Sequence, residues 1–211
     1  MSMSINIAKR LMKMAEAFPI SPEVEVGPLQ EVFNHDYFLN ATEAKRKEIM
    51  LQASQSKYID EIAYPFDNYF GINLKNLLES KSMLDLGCLC GGRSAAWFER
   101  YHLKDIVGID VNDVYINAAQ QFAKQKNIQA QFKTSKGEHL PFEDNTFDGI
   151  ISFDVLEHVQ DVAKTLSECY RVLKPGGIFI LVFPGYFQPN EHHLSLATKM
   201  PGIQCILSGR T

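Results

Sequence analysis

Asp85 and Asp110 stand twenty-five residues apart, each near the end of a short run of aliphatic residues, and Gly87, Gly91 and Gly92 follow the first at once. Glycines in such a turn admit positive φ and close ligand approach, and the helix expected to start near Arg93 presents unpaired N–H groups. A carboxylate placed like Asp110, at the end of a neighbouring strand, can accept hydrogen bonds from both hydroxyls of a ribose. Asp85 lies inside the turn, where an acid repels a pyrophosphate but suits a ligand with an ammonium group or another positive centre. The chemistry indicated is recognition of a nucleoside joined to a cationic group, not of a dinucleotide, whose turn reads G-x-G-x-x-G. Further along, Asp154-Val155-Leu156-Glu157-His158 holds two acids and a histidine that share one face if the segment is helical. On such a face they are candidates for proton transfer or, with His192, for metal ligation.

The elements that must position these residues begin at Ser82. From there MLDLG, DIVGID, AQFKTS, FDGIISF and IFILVFP alternate with the helical stretches GRSAAWFERYHL, NDVYINAAQQFAKQKN and VAKTLSECYRVLKPGG. Strands alternating with helices imply right-handed crossovers and a doubly wound, mostly parallel α/β sheet, with ligands beyond the strands' carboxyl ends. The first eighty residues read as helices and loops. Residues 5–17 are amphipathic, and Pro19, Pro22 and Pro28 prevent a helix from continuing beyond them. Asn40, three before Glu43, reads as the cap of a helix from Ala41 to about Ala63 that Tyr64-Pro65 breaks. Phe66 to Glu79 carries helical spacing despite Gly71.

MLDLGCLCGGRS, followed by IVGID, GEHLPFEDNTFDGIISFDVLEHV and YRVLKPGGIFILVFPG, closely resembles the class I S-adenosylmethionine-dependent methyltransferases over about residues 82–185. The resemblance implies a Rossmann-like fold with strand order 3-2-1-4-5, S-adenosyl-L-methionine as cofactor, and methyl transfer to a small-molecule acceptor by in-line displacement. By similarity, Asp85, Gly87 and Gly91 would line the methionine end, Asp110 would hold the ribose and Val111 would pack on the adenine. Glu138 and His139 would lie in the loop that closes over the adenine edge, and Phe153 and Asp154 would border the place of methyl delivery. His158, with Asp154, is the candidate catalytic base or substrate contact. Asp154, Glu157, His158 and His192 also look like the metal cluster of small-RNA 3′-end 2′-O-methyltransferases, although L-E-H-V recurs in metal-free relatives.

Two residues depart from the family pattern. Leu89 replaces the middle glycine of D-x-G-x-G-x-G, and Lys136 stands where an acid often meets the adenine amine. The family usually ends in an antiparallel strand pair, and with 28 residues after Phe183 the C-terminal edge is expected to be incomplete. The chain therefore divides into a helical extension or lid over 1–80, with aromatics at Tyr58, Tyr64, Phe66, Tyr69 and Phe70, and a cofactor domain over 81–211.

The bulk properties narrow the function classes. A formal charge of −4 argues against a protein whose main task is to grip nucleic-acid backbones. No apolar run approaches a membrane span, and the N-terminus lacks the apolar block of a secretory signal, so a cytoplasmic protein is expected. Cys88 and Cys90 read as small apolar fillers beside the turn. Rival readings are a non-catalytic S-adenosylmethionine-binding module, an RNA-end 2′-O-methyltransferase and a nicotinamide-dependent oxidoreductase; the last is disfavoured by Asp85. Composition leaves the oligomeric state open.

Overall fold

The alternating segments after Ser82 become one parallel sheet in the computed structural model, which describes residues 40–67 and 71–182. Its strands are β1 (Ser82–Leu86), β2 (Asp105–Asp110), β3 (Ala130–Thr134), β4 (Phe147–Phe153) and β5 (Leu173–Val182), in the order β3-β2-β1-β4-β5. The helices are α1 (Glu43–Ala63), α2 (Leu74–Leu78), α3 (Gly92–Arg100), α4 (Asp113–Lys126) and α5 (Val162–Val172). This is the doubly wound order expected from the sequence. The chain winds outward from β1 to β3 and then returns to β4 on the other side of β1, so the crevice between β1 and β4 is where the strand order reverses.

Burial explains the composition of the strands. All five positions of central β1 are buried, as a parallel strand covered on both faces requires, whereas at the β3 edge only Phe132 is fully buried. Side chains alternate between two cores. Met83, Ile106, Ile151 and Phe153 pack with Trp97, Tyr101, Leu74 and Leu78 on the α3 face. Leu84, Leu86, Ile109 and Ile150 pack with Cys169 and Val172 of α5 on the other. Asp85, between Leu84 and Leu86, therefore points into the α3 face.

Local signals set the helix ends. Asn112 caps α4 by accepting from Val114 N, and Asp161 caps α5 by accepting from Lys164 N. α4 stops at Asn127, which takes the left-handed conformation at φ +56°. The cap of α1 is Thr42, which accepts from Lys45 N, and not Asn40: a β-branched hydroxyl two residues nearer the helix has the required extended backbone. Within the span of helical spacing from Phe66 to Glu79, Asp67 and Leu74–Leu78 are helical among the described residues, and between them Gly71 turns left-handed at φ +64° before Asn73 starts a new cap. β5 begins earlier than its apolar run, at Leu173, through a register shift opposite Phe147 and Gly149 that admits Lys174-Pro175-Gly176-Gly177. The amphipathic stretch 5–17, Pro19, Pro22, Pro28, Tyr69, Phe70, His192 and the C-terminal edge lie outside the described residues.

Candidate functional site at the carboxyl ends of the strands

The turn after β1 is built mostly for contacts within the protein. Gly87 sits at φ +77°, and a β-carbon there would lie 2.3 Å from Val155 Cγ2. Its N–H and that of Cys88 both donate to Ile109 O, stapling the turn to β2. Leu89 adopts φ +48°, so the position does need the left-handed region, at a cost of about 1–2 kcal/mol for leucine. The Leu89 N–H recovers part of this by donating to Asp110 Oδ2 at 3.1 Å. Gly91, at φ +74°, is wedged against Ala119 and Phe132, and a β-carbon on Gly92 would lie 2.3 Å from the Ser54 carbonyl of α1. The side-chain hydroxyl of Ser54 donates to Cys90 O at 2.7 Å. Gly91 and Gly92 thus let α4 and α1 close on the turn. Cys88 and Cys90 are buried fillers, and burial pushes the Cys90 thiol up to about 12.

Two buried carboxylates flank the crevice. Asp85 accepts a 2.5 Å hydrogen bond from Ser94 Oγ and is 1% exposed. Burial raises its pKa from 3.8 to about 6, against the pull of Arg93 and the Ser94 bond. Asp110 accepts from Leu89 N and Asn112 N, and burial raises its pKa too. Each of its oxygens keeps a second lone pair for another donor. Val111 comes next in the chain with 66% exposure, an apolar platform directly beyond the strand end.

Arg93 is the residue that reading the sequence missed. A cation in the first turn of a helix opposes the macrodipole, and α3 has no acid there to balance it. That conflict was the available signal, because such a residue needs a partner from elsewhere. The partner is Glu61 of α1, 3% exposed, which accepts from Arg93 Nε at 2.7 Å and Trp97 Nε1 at 2.9 Å and pairs with Lys57 Nζ at 3.1 Å. The two cations outweigh burial and hold the Glu61 carboxyl below its usual range. The Arg93 guanidinium lies 3.9 Å above the ring of Phe153, which also meets Phe66 and Trp97 edge-on. Phe153 is thus a buried wall of the α3 face and a platform for a guanidinium.

The loop after β3 is clamped to α5. Glu138 Oε1 accepts from Gln160 N and Asp161 N, so its carboxylate joins this loop to the start of α5. His139 and Lys136 are exposed. Arg171 donates to Leu140 O, Phe142 O and Asp144 and pairs with Glu168, which itself accepts from Leu140 N. The Arg171 hydrogen bond pulls the Glu168 carboxyl down to about 2. Asp154 to His158 is a turn and not a helix: Asp154 takes φ +55°, its N–H donates to Val182 O, and His158 N donates to Val155 O. The shared helical face expected for Asp154, Glu157 and His158 is therefore absent, although all three side chains are exposed beside the crevice. Among the described residues no three His, Cys, Asp or Glu side chains converge to hold a metal.

A separate groove of about 890 Å³ lies at the amino end of the sheet, lined by Asp67, Asn73, Glu99, Arg100 and Tyr101. Its Tyr101 hydroxyl is already spent on Asp67 at 2.8 Å. No helix among the described residues is long and apolar enough to cross a membrane.

A family model described as a methyltransferase domain matches residues 84–181. The chain is 36% identical over 103 residues to a sterol 24-C-methyltransferase of Pneumocystis carinii, covering 48% of this chain and 27% of that protein. It is 32% identical over 133 residues to norajmaline N-methyltransferase of Rauvolfia serpentina, covering 62% and 44%. It thus spans less than half the length of either. Among solved structures, a provisionally assigned S-adenosyl-L-methionine-dependent methyltransferase of Methanococcus maripaludis aligns with TM-score 0.54 at 25% identity, covering 68% of this chain and 66% of that one.

Proposed function

With residues 84–181 forming a methyltransferase domain of the class I S-adenosylmethionine-dependent fold, we propose that this chain transfers a methyl group from S-adenosylmethionine to a small-molecule acceptor. The observation that carries this is the pair of buried carboxylates, Asp85 and Asp110, near the carboxyl ends of the adjacent strands β1 and β2, next to the point where strand order reverses. Their chemistry fits the cofactor. Asp110 retains acceptor capacity for ribose hydroxyls, exposed Val111 offers an apolar face for adenine, and Asp85 offers negative charge to a cationic end. When bound, the cofactor supplies an electrophilic methyl group on a sulfonium.

The protein's own share is positioning. Gly87 keeps the turn tight against Val155, Phe153 and Trp97 wall the α3 face against water, and the Asp154–His158 turn presents polar groups to the acceptor. His158 and Asp154 are the candidates for taking a proton from an acceptor that must lose one. Glu138 ties the loop carrying His139 to the segment that leads from that turn into α5. The named relatives methylate a sterol at carbon and norajmaline at nitrogen, which supports an organic small molecule as the acceptor class.

A boundary near residue 80, between a helical extension and the cofactor domain, belongs to the same proposal; the bonds from Ser54 and Glu61 to the turn support a covering role for α1. So does a cytoplasmic location, with which the free thiols of Cys88, Cys90 and Cys169 agree. The test is calorimetric titration with adenosylhomocysteine. Asp110→Ala is expected to weaken binding at least tenfold through the lost ribose contacts; unchanged affinity sinks the assignment.

A further inference from the structure

We propose that Glu138 is a positioning residue for the acceptor side of the crevice: its carboxylate sets the place of His158 against the loop after β3, and so links His158 to the nucleoside side. This rests on the cofactor reading above, with His158 as the group that meets the acceptor.

The cap of α5 shows why an acid is needed there. Asp161 caps the helix, and a capping box would put Glu or Gln three residues later to accept from the Asp161 N–H. That place holds Lys164, whose side chain has no acceptor. Glu138 supplies the missing carboxylate from another segment: its Oε1 accepts from Gln160 N at 2.9 Å and from Asp161 N at 3.3 Å. A local task thereby becomes a tie between two loops. The Glu138 carboxyl is held below its usual range by its own N–H and by those of Asp161 and Gln160, so it is ionised at neutral pH. Its charge strengthens both bonds and suits the N-terminal end of α5.

The tie completes a continuous path between the two sides of the crevice. The Asp110 carbonyl accepts from Ser135 N at 2.9 Å, and Ser135 Oγ donates to His139 O at 2.8 Å, which closes the loop on itself beside Glu138. Gly137 is buried against α5, where a β-carbon would lie 2.9 Å from Thr165 Cγ2. On the far side, Gln160 stands two residues beyond His158, whose own N–H donates to Val155 O. Val155 in turn packs on Gly87 in the turn after β1. His158 is therefore held from upstream through Val155 and from downstream through Glu138. Occupation of the nucleoside side acts on the Asp110 end of this path, and Glu138 carries the effect to His158.

The experiment follows the His158 ring signal by NMR, identified by its loss in His158→Gln, without and with saturating adenosylhomocysteine. In the unaltered chain the ligand is expected to shift that signal. Glu138→Ala should remove most of the shift. Glu138→Gln, which keeps an oxygen able to accept from both N–H groups, should retain most of it. Adding Lys164→Gln to Glu138→Ala rebuilds a local capping box without the tie. It should recover melting temperature lost in Glu138→Ala and leave the His158 shift missing, which a merely structural role for Glu138 does not allow. Should Glu138→Ala alone fail to fold, this double variant carries the comparison. The proposal is overturned, while the cofactor reading stands, if the shift is kept in Glu138→Ala, lost equally in Glu138→Gln, restored by Lys164→Gln, or absent from the unaltered chain with ligand bound. Failure of the unaltered chain to bind adenosylhomocysteine overturns the cofactor reading itself.

Discussion

Replacing Asp85 with asparagine should stabilise the ligand-free protein at alkaline pH while it weakens ligand binding. The Asp85 carboxyl titrates near 6 in the folded chain against 3.8 for the free group. Between those values the folded chain holds a proton that the unfolded chain has lost, so this group's contribution to stability falls as pH rises through that window and is lowest above it. A shift of about two units at 1.36 kcal/mol each amounts to about 3 kcal/mol. Asparagine removes that penalty and can still accept from the Ser94 hydroxyl, but it also removes a negative neighbour of Arg93, which returns part of the gain. A net stabilisation of about 1–2 kcal/mol at pH 8 is expected, or roughly 3–6 °C in melting temperature for a domain of this size, vanishing toward about pH 4. Thermal melts of both proteins across that range measure it, and groups other than Asp85 largely cancel in the difference. A parallel pH dependence of the two proteins, or an Asp85→Asn protein less stable at pH 8, refutes the reasoning.

The same geometry sets three further outcomes. Gly87→Ala should lower stability by about 1–3 kcal/mol, from the positive φ and the 2.3 Å approach to Val155, and Val155→Ala should restore the steric part in a double variant read by denaturant unfolding. Leu89→Gly should change stability by less than about 1 kcal/mol, since relief of the left-handed strain at φ +48° is offset by greater freedom of the unfolded chain; a loss beyond about 2 kcal/mol contradicts this. Arg171→Ala should cost about 3 kcal/mol, because it strands the buried Glu168 carboxylate and frees the Leu140 and Phe142 carbonyls. Glu168 has a lowered folded pKa, so its stabilisation is present above about 4.5 and lost as pH falls toward about 2. An acid limb of the stability profile as steep in Arg171→Ala as in the unaltered chain contradicts that account.

The order of the sheet was legible because it rests on periodicity: five β-rich runs separated by helical ones leave few topologies once crossovers are right-handed. The placement of the turn glycines, the two acids and Val111 at strand ends was legible for a related reason, since each strand end is marked by the turn next to it. What was not legible depends on contacts between segments far apart in sequence. Glu61 on an amphipathic helix reads as one solvated acid among several, and only α1 lying against α3 makes it the buried partner of Arg93 and Trp97. Asp154-Val155-Leu156-Glu157-His158 carries helical spacing, yet a backbone bond from Asp154 to β5 fixes a left-handed turn there. Tertiary hydrogen bonding outweighs the few tenths of a kcal/mol per residue that separate local preferences.

The glycines of the turn illustrate how a motif residue serves the fold before it serves a ligand. Gly91 and Gly92 are required by Ala119, Phe132 and Ser54, whatever the crevice binds, because a side chain at either position would push α4 or α1 away from the turn. Substituting either would therefore lower stability and ligand affinity together, and such a result would not separate the two roles. Asp85 and Asp110 do separate them. Their groups are charged, placed at the crevice, and either costly to bury or incompletely paired, so a ligand that completes their pairing binds with the free energy that folding left unspent. The ligand-induced rise in melting temperature should accordingly shrink in Asp110→Ala. In an Asp85→Asn protein the same rise should shrink although the ligand-free protein is the more stable one at pH 8, a reversal that a purely structural role for the carboxylate does not produce.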